Sequence, residues 1–128
     1  MLTFRNELAL GVFLFGTTYL WLTPAYAGPA ARGTLWSVVQ VMAFIAILAF
    51  SAAAWGIFRD SGWWEPVGIG AAMVGMACVV PYWIAVQPLP DLDRSATLGN
   101  LLIHFLGGAL VMAALLAPPA ERWIVSHL

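Results

Sequence analysis

The sequence contains little charge, and that shortage excludes whole classes of protein. Charged residues make up 9% of the 128 residues and hydrophobic residues 62%, whereas soluble domains carry about 25% charged and about 45–50% apolar residues. So few charges could not cover the surface of a water-soluble fold of this composition. The five basic residues are all arginine and the formal net charge is -1, which excludes an electrostatic footprint for nucleic acid.

Cysteine and catalytic motifs are also scarce. Cys78 is the single cysteine, so an intramolecular disulfide and a cysteine metal cluster are excluded; its apolar surroundings indicate a small core residue. The chain has no Gly-x-Ser-x-Gly, His-Glu-x-x-His or Cys-x-x-Cys motif and no phosphate-binding glycine loop. Acidic residues lie only near the ends of apolar runs, so we predict no catalytic carboxylate pair, no catalytic residue and no metal ligand.

Long apolar runs are what the sequence has in abundance. Four runs, at about 8–27, 35–58, 64–86 and 98–117, approach or exceed the roughly 20 residues that a helix needs to cross a bilayer. They do not alternate as the strands of a membrane barrel do, and a helix satisfies its own backbone in lipid. The sequence therefore predicts an all-α integral membrane protein, a single domain folded as an antiparallel bundle of four transmembrane helices.

Aromatic residues mark both ends of the third run. Trp63 and Trp64 lie at one end and Tyr82 and Trp83 near the other, and such rings prefer the boundary between lipid and water. We interpret the other tryptophans near the run ends, and Tyr26, in the same way.

Capping and turn-forming residues predict where the helices end. Thr34 is suited to cap the second helix, and Ser95 or Thr97 the fourth. Pro118 and Pro119 are expected to end the fourth helix, because proline cannot continue one. The short tail that follows is expected to lie in the membrane interface.

The first run has a second interpretation. Arg5, the apolar run and the small-residue pattern Ala25-Tyr26-Ala27 resemble the n-region, h-region and cleavage site of a signal peptide. Because the run is long for an h-region, we expect the segment to be retained as the first crossing.

Arginine placement predicts the orientation. Arg5, Arg59 and Arg122 fall on the side of the two termini, while Arg32 and Arg94 fall on the other. The positive-inside rule therefore favours a multi-pass protein of the cell membrane with both termini in the cytoplasm.

Apart from Cys78 and the tyrosines, His104 is the one ionisable side chain that lies deep in a run. It is about six residues into the fourth run, or roughly 9 Å at 1.5 Å per residue. An ionisable group at membrane depth is a functional hypothesis by default. The structural alternative is a neutral imidazole hydrogen-bonded to a neighbouring helix. We predict that the ring faces the bundle interior.

Other polar residues fall at a similar depth in all four runs. We expect them to form a layer in the outer half of the bundle, since polar groups in lipid need partners. The predicted ligand-binding residues of this layer are His104, Asn100, Gln40, Tyr82, Thr18 and Tyr19, with Thr17 beside them. The inner half carries small residues at helical spacing, among them Gly68, Ala72 and Gly75, which predicts close helix packing.

Two short stretches resemble known families. The opening Arg5-x-x-Leu8-x-Leu10-Gly11, followed by Gly16, is similar to that of small DoxX-like membrane proteins. The turn Gly62-Trp63-Trp64-Glu65-Pro66 resembles the Trp-Trp-x-Pro turn of uncharacterised four-span bacterial proteins. The resemblance implies a four-helix bundle and association with a redox or quinone-linked complex, and it implies no catalytic residue.

Several functions are open at this level. The small size and the missing catalytic groups favour a non-catalytic accessory or scaffold subunit of a larger membrane complex, whose partners are the lipid bilayer and other membrane subunits or further copies of the chain. The polar layer favours a binder of an apolar small molecule, a lipid or a quinone. A redox or enzymatic subunit that uses His104, and a small transporter, are the remaining alternatives.

Overall fold

The computed structural model describes residues 3–128, and every regular element among them is a helix. A 3-10 segment, Thr18–Leu22, joins the first two α-helices. The α-helices are α1 Phe4–Thr17, α2 Pro24–Ala27, α3 Thr34–Phe58, α4 Trp64–Val86, α5 Arg94–Leu116 and α6 Pro118–His127. Three of them, α3, α4 and α5, are long and apolar enough to cross a membrane. The prediction of an all-helical fold is confirmed, and these three helices support the prediction of a membrane protein.

The bundle is built around α3 and α4, which pack against each other. α1 lies on α3, and α5 lies on α4 and touches the 3-10 segment. Small buried residues such as Ala43, Ala46, Ala71 and Ala72 line the central contact. Because small side chains let two backbones approach closely, this pattern explains why helices with few large core residues pack together.

The first apolar run is not one continuous α-helix. The helix begins at Phe4 rather than near Leu8, and it ends at Thr17. The hydroxyls of Thr17 and Thr18 donate to the carbonyls of Leu14 and Phe15, at 2.7 and 2.6 Å. Such side-chain bonds compete with the helical ladder, and the chain tightens into the 3-10 segment before Pro24 starts α2.

Two predicted caps are wrong. Thr34 is the first residue of α3, and the cap position is Gly33, which has φ 106° and no side-chain cap. α5 is capped by Asp93, whose Oδ1 accepts from the Ala96 amide at 3.1 Å, and not by Ser95 or Thr97. A carboxylate at the cap bonds the free amides and also complements the helix dipole.

The two prolines after α5 begin a new helix as well as ending the old one. Pro118 and Pro119 occupy the first turn of α6, where a missing amide hydrogen has no cost. In α6, Trp123 meets Phe4 edge to face, with ring centroids 5.5 Å apart. The predicted interfacial tail is therefore an ordered helix against the start of α1.

The bundle has two distinct ends. At the terminal end, Arg5 of α1 forms an ion pair with Asp60 at 3.1 Å and donates to the carbonyl of Leu128. The connection between α3 and α4 and the C-terminus therefore meet the start of α1. At the distal end, the 3-10 segment and α2 meet the connection between α4 and α5, since Trp21, Tyr26 and Asp93 line one pocket.

The interpretation of the aromatic residues as interface anchors is wrong at three positions. Trp36, Trp64 and Tyr82 are buried in the bundle. Trp63 and Trp83, which are adjacent in sequence to Trp64 and Tyr82, are exposed instead. The exposed tryptophan and tyrosine residues at the two ends are Trp21, Tyr26, Trp55, Trp63, Trp83 and Trp123.

Candidate functional site

His104 is fully buried on α5, and the prediction that it faces the bundle interior is confirmed. Its Nε2 lies 3.1 Å from the hydroxyl of Thr18, and its Nδ1 lies 2.6 Å from the carbonyl oxygen of Asn100. Its ring meets Tyr19 edge to face at a centroid distance of 4.6 Å and Trp21 at 6.3 Å. One imidazole therefore ties α5 to the 3-10 segment.

These contacts determine which ring nitrogen carries the proton. A carbonyl oxygen only accepts, so Nδ1 of His104 donates to Asn100 and a neutral ring presents Nε2 as an acceptor. The single hydroxyl proton of Thr18 is then shared between Nε2 and the carbonyl of Phe15, 2.6 Å away. A protonated ring would donate to Thr18 instead and leave that proton to Phe15. Both nitrogens are thus occupied within the protein.

Asn100 and Tyr82 form the next contact toward the distal end. Asn100 Nδ2 donates to the Tyr82 hydroxyl oxygen at 3.0 Å, and the Tyr82 ring meets Trp36 edge to face at 6.1 Å. Together with the His104 contacts, this pair links α3, α4, α5 and the 3-10 segment. We call Thr18, Tyr82, Asn100 and His104 the polar cluster.

Tyr19 lies beside the polar cluster but does not join its hydrogen bonds. The side chain is fully buried, and its ring stacks on Phe50 at 5.8 Å. Its hydroxyl has no hydrogen-bond partner within the described residues. The hydroxyl points at Gly75 of α4, where a Cβ would overlap it. The absence of a side chain at Gly75 is therefore what admits the tyrosine.

Gln40, a predicted member of the layer, is not part of it. Its side chain is exposed on α3, whereas Val39 and Ala43 face the core. Each helical residue is turned about 100° from the one before it, so Gln40 faces away from His104 at a similar depth. Thr17 is half-buried, and its hydroxyl bonds only Leu14 of its own helix.

A pocket of about 330 Å³ opens at the distal end above the polar cluster. Tyr82 and Asn100 are among its lining residues, as is Trp21, whose ring also touches His104. The pocket has aromatic, acidic and apolar parts. Its other lining residues are Tyr26, Ala27, Val86, Leu89, Asp91, Leu92, Asp93, Ala96 and Thr97. We call this the distal pocket.

Sequence reasoning missed the distal pocket because two connections form most of it. Trp21 and Tyr26 come from the segment after α1, and Asp91 and Asp93 come from the loop before α5. One feature of the sequence could have predicted it. Aromatic and acidic residues are concentrated in these two connections, and the arginine pattern assigns both connections to the same side of the membrane.

A metal site has no support in the described part of the chain, because no three His, Cys, Asp or Glu side chains gather there. A second, purely apolar cavity of about 80 Å³ lies nearer the terminal end, between α1, α3, α4 and α5. Ile124 of α6 lines it as well. With no polar group in its lining, that cavity has no means of orienting a ligand.

No protein-family model, curated protein or solved structure matches this chain. The DoxX-like resemblance and the binding role of the polar layer both stay predictions.

Proposed function

We propose that α1 and the 3-10 segment together make a fourth membrane crossing. The 14 residues of α1 span about 21 Å at 1.5 Å per residue. The five residues of the 3-10 segment add about 10 Å at 2.0 Å per residue. The total is close to the roughly 30 Å of a bilayer core. Arg5 at the terminal end and Trp21 at the distal pocket support the same interpretation.

We expect both termini to be cytoplasmic and the distal pocket to face outward. A reporter that fluoresces only in the cytoplasm should be active when fused after Leu128. The matched control is a fusion after Pro90, in the connection between α4 and α5. At that position the fluorescent reporter should be inactive, and a phosphatase that works only outside the cytoplasm should be active. The reverse pattern at the two positions would refute the orientation.

The function that the geometry supports best is binding of an amphipathic small molecule or lipid in the distal pocket. The observation that carries this proposal is the pocket itself, whose volume of about 330 Å³ falls at the lower end of the range of about 300–1,000 Å³ for ligand sites. Val86, Leu89 and Leu92 offer an apolar wall, and Tyr82 and Asn100 offer polar groups at its base. The resemblance to DoxX-like proteins makes a quinone one candidate ligand.

His104 supports this site from below rather than acting in chemistry. Both of its ring nitrogens are engaged by Asn100 and Thr18, and its side chain is fully buried. A redox or enzymatic role would require a reacting group within reach of the imidazole. The ring nitrogens instead contact the Thr18 hydroxyl and the Asn100 carbonyl, which hold the ring in place. We therefore favour binding over catalysis.

Filling the distal pocket should remove bound ligand. Ala96 lines it from the first turn of α5, so Ala96→Trp places an indole in the cavity. The matched control is Ala113→Trp, an exposed position on the same helix. Native mass spectrometry of protein in lipid nanodiscs should show a retained small molecule in the wild type and in the control but not in Ala96→Trp. Equal ligand content in all three proteins would refute the proposal.

A role as a subunit of a larger membrane complex is the second candidate, favoured by the exposure of α5. Only 11% of its membrane-length window is buried, against 39% for α3 and for α4. Leu102, Phe105 and Leu106 are exposed on it. Crosslinking in native membranes from a photoreactive residue at Leu106 should yield a discrete adduct with one other membrane protein. A matched probe at Val41 of α3, which is also exposed, should yield none. If both probes label only lipid, this candidate fails.

A further inference from the structure

We propose that the distal pocket selects ligands with a protonated amine head and an apolar tail. This inference rests on the proposed binding function and adds the chemical class of the ligand. It starts from the charge of the pocket, which holds the carboxylates of Asp91 and Asp93 and no basic side chain among its lining residues.

The two carboxylates have capacity left for a ligand. Asp93 uses Oδ1 to cap α5, which leaves Oδ2 for a further donor. Asp91 is exposed, with no ion pair or hydrogen bond within the described residues. An ionised carboxylate only accepts hydrogen bonds, so this rim matches a head group that carries donors and positive charge.

Aromatic rings complete the match to a cation. Trp21 and Tyr26 line the pocket together with the carboxylates, and both side chains are exposed. A cation over the face of tryptophan or tyrosine is attracted by the ring quadrupole, and aromatic cages are the common recognition site for quaternary ammonium groups. An anionic head group would meet two carboxylates instead and be repelled.

The base of the pocket adds a polar contact and a route for the tail. Asn100 donates through Nδ2 to Tyr82, so its Oδ1 stays free to accept from an ammonium group. The apolar wall of Val86, Leu89 and Leu92 lies in the same cavity. A head group at the acidic rim can therefore place a short alkyl chain along that wall.

Three probes with the same chain separate charge from hydrophobicity: octylammonium, octyl sulfate and octanol. Titrated into wild-type protein in phosphatidylglycerol nanodiscs, and corrected for binding to empty nanodiscs of the same anionic lipid, octylammonium should bind about tenfold more tightly than the other two. Its affinity should fall with added salt, because the rim carboxylates are exposed. Equal affinity for the three probes would overturn the inference.

The acidic rim can be neutralised without uncapping α5. Asp91→Asn with Asp93→Asn removes both charges, and asparagine caps a helix about as well as aspartate. Octylammonium binding should weaken about tenfold while octanol binding is unchanged. The control pair, Glu7→Gln with Glu121→Gln, makes the same change in net charge in α1 and α6 and should leave both affinities as they were. Unchanged octylammonium affinity in the Asp91 and Asp93 variant would also overturn the inference.

Changing the nanodisc lipid shows whether the natural ligand is a lipid head group or a free amine. If the natural ligand is a lipid head group, phosphatidylethanolamine in the nanodisc should compete with octylammonium. If it is a free amine, that lipid should have no effect, and the selectivity for the cation stands in either case. If the distal pocket is not a binding site at all, Ala96→Trp should leave the binding of every probe unaltered. That result would refute the proposed function rather than only the preference for an amine.

Discussion

Gly75→Leu is expected to cost well over the about 1–3 kcal/mol that ordinary overpacking of a core costs. A Cβ at this position already overlaps the Tyr19 hydroxyl and ring. The tyrosine cannot retreat easily, because it is fully buried between Phe50, Phe15 and His104. The free energy of unfolding in mixed detergent micelles, followed by circular dichroism, measures the effect.

Two comparisons isolate the cause. Val79→Leu changes a half-buried residue of the same helix that borders an outward groove, so it should cost less than about 1 kcal/mol. Gly70→Ala adds a methyl group where nothing lies within 4 Å and should be neutral or slightly stabilising. Gly75→Ala, by contrast, should destabilise. If Gly75→Leu and Val79→Leu were equally stable, close packing at Gly75 would be disproved.

His104→Phe is expected to lower the free energy of unfolding by about 1–3 kcal/mol. The phenyl ring roughly preserves the volume but loses two hydrogen bonds, the one to Thr18 that ties α5 to the 3-10 segment and the one to the Asn100 carbonyl within α5. Ile103→Phe, at the exposed neighbouring position, is the matched control and should change stability by less than about 0.5 kcal/mol.

The same variant distinguishes a structural role of His104 from a direct role in ligand binding. His104 does not line the distal pocket, so His104→Phe should retain octylammonium binding once the protein is folded. Loss of binding with unchanged stability would show that the imidazole itself belongs to the ligand site.

The sequence was sufficient for what depends on composition and local spacing. Long apolar runs predicted α3, α4 and α5 because a helix in lipid needs only length and apolarity. Asn100, one turn before His104, indicated the inward face of α5, because residues four apart share a face. Gly75 was expected in a close contact for the same reason, and it is in one.

The rest depended on choices that local spacing does not determine. The hydroxyls of Thr17 and Thr18 bond carbonyls three residues back and break the first helix, which an apolar run does not reveal. Gln40 was assigned by depth alone, but its direction depends on how α3 is rotated against α4. The distal pocket needed the conformations of two connections, and no periodic pattern encodes those.

The most direct measurement is the labelling rate of Ala96→Cys by a membrane-impermeant maleimide in right-side-out vesicles. Cys78 is fully buried, so wild-type protein serves as the unlabelled background. If the distal pocket is an outward-facing binding site, Ala96→Cys is labelled without permeabilisation, and the rate falls as octylammonium is titrated in. Labelling that requires detergent would contradict the outward orientation, and a rate unaffected by octylammonium would contradict binding of that cation in the pocket.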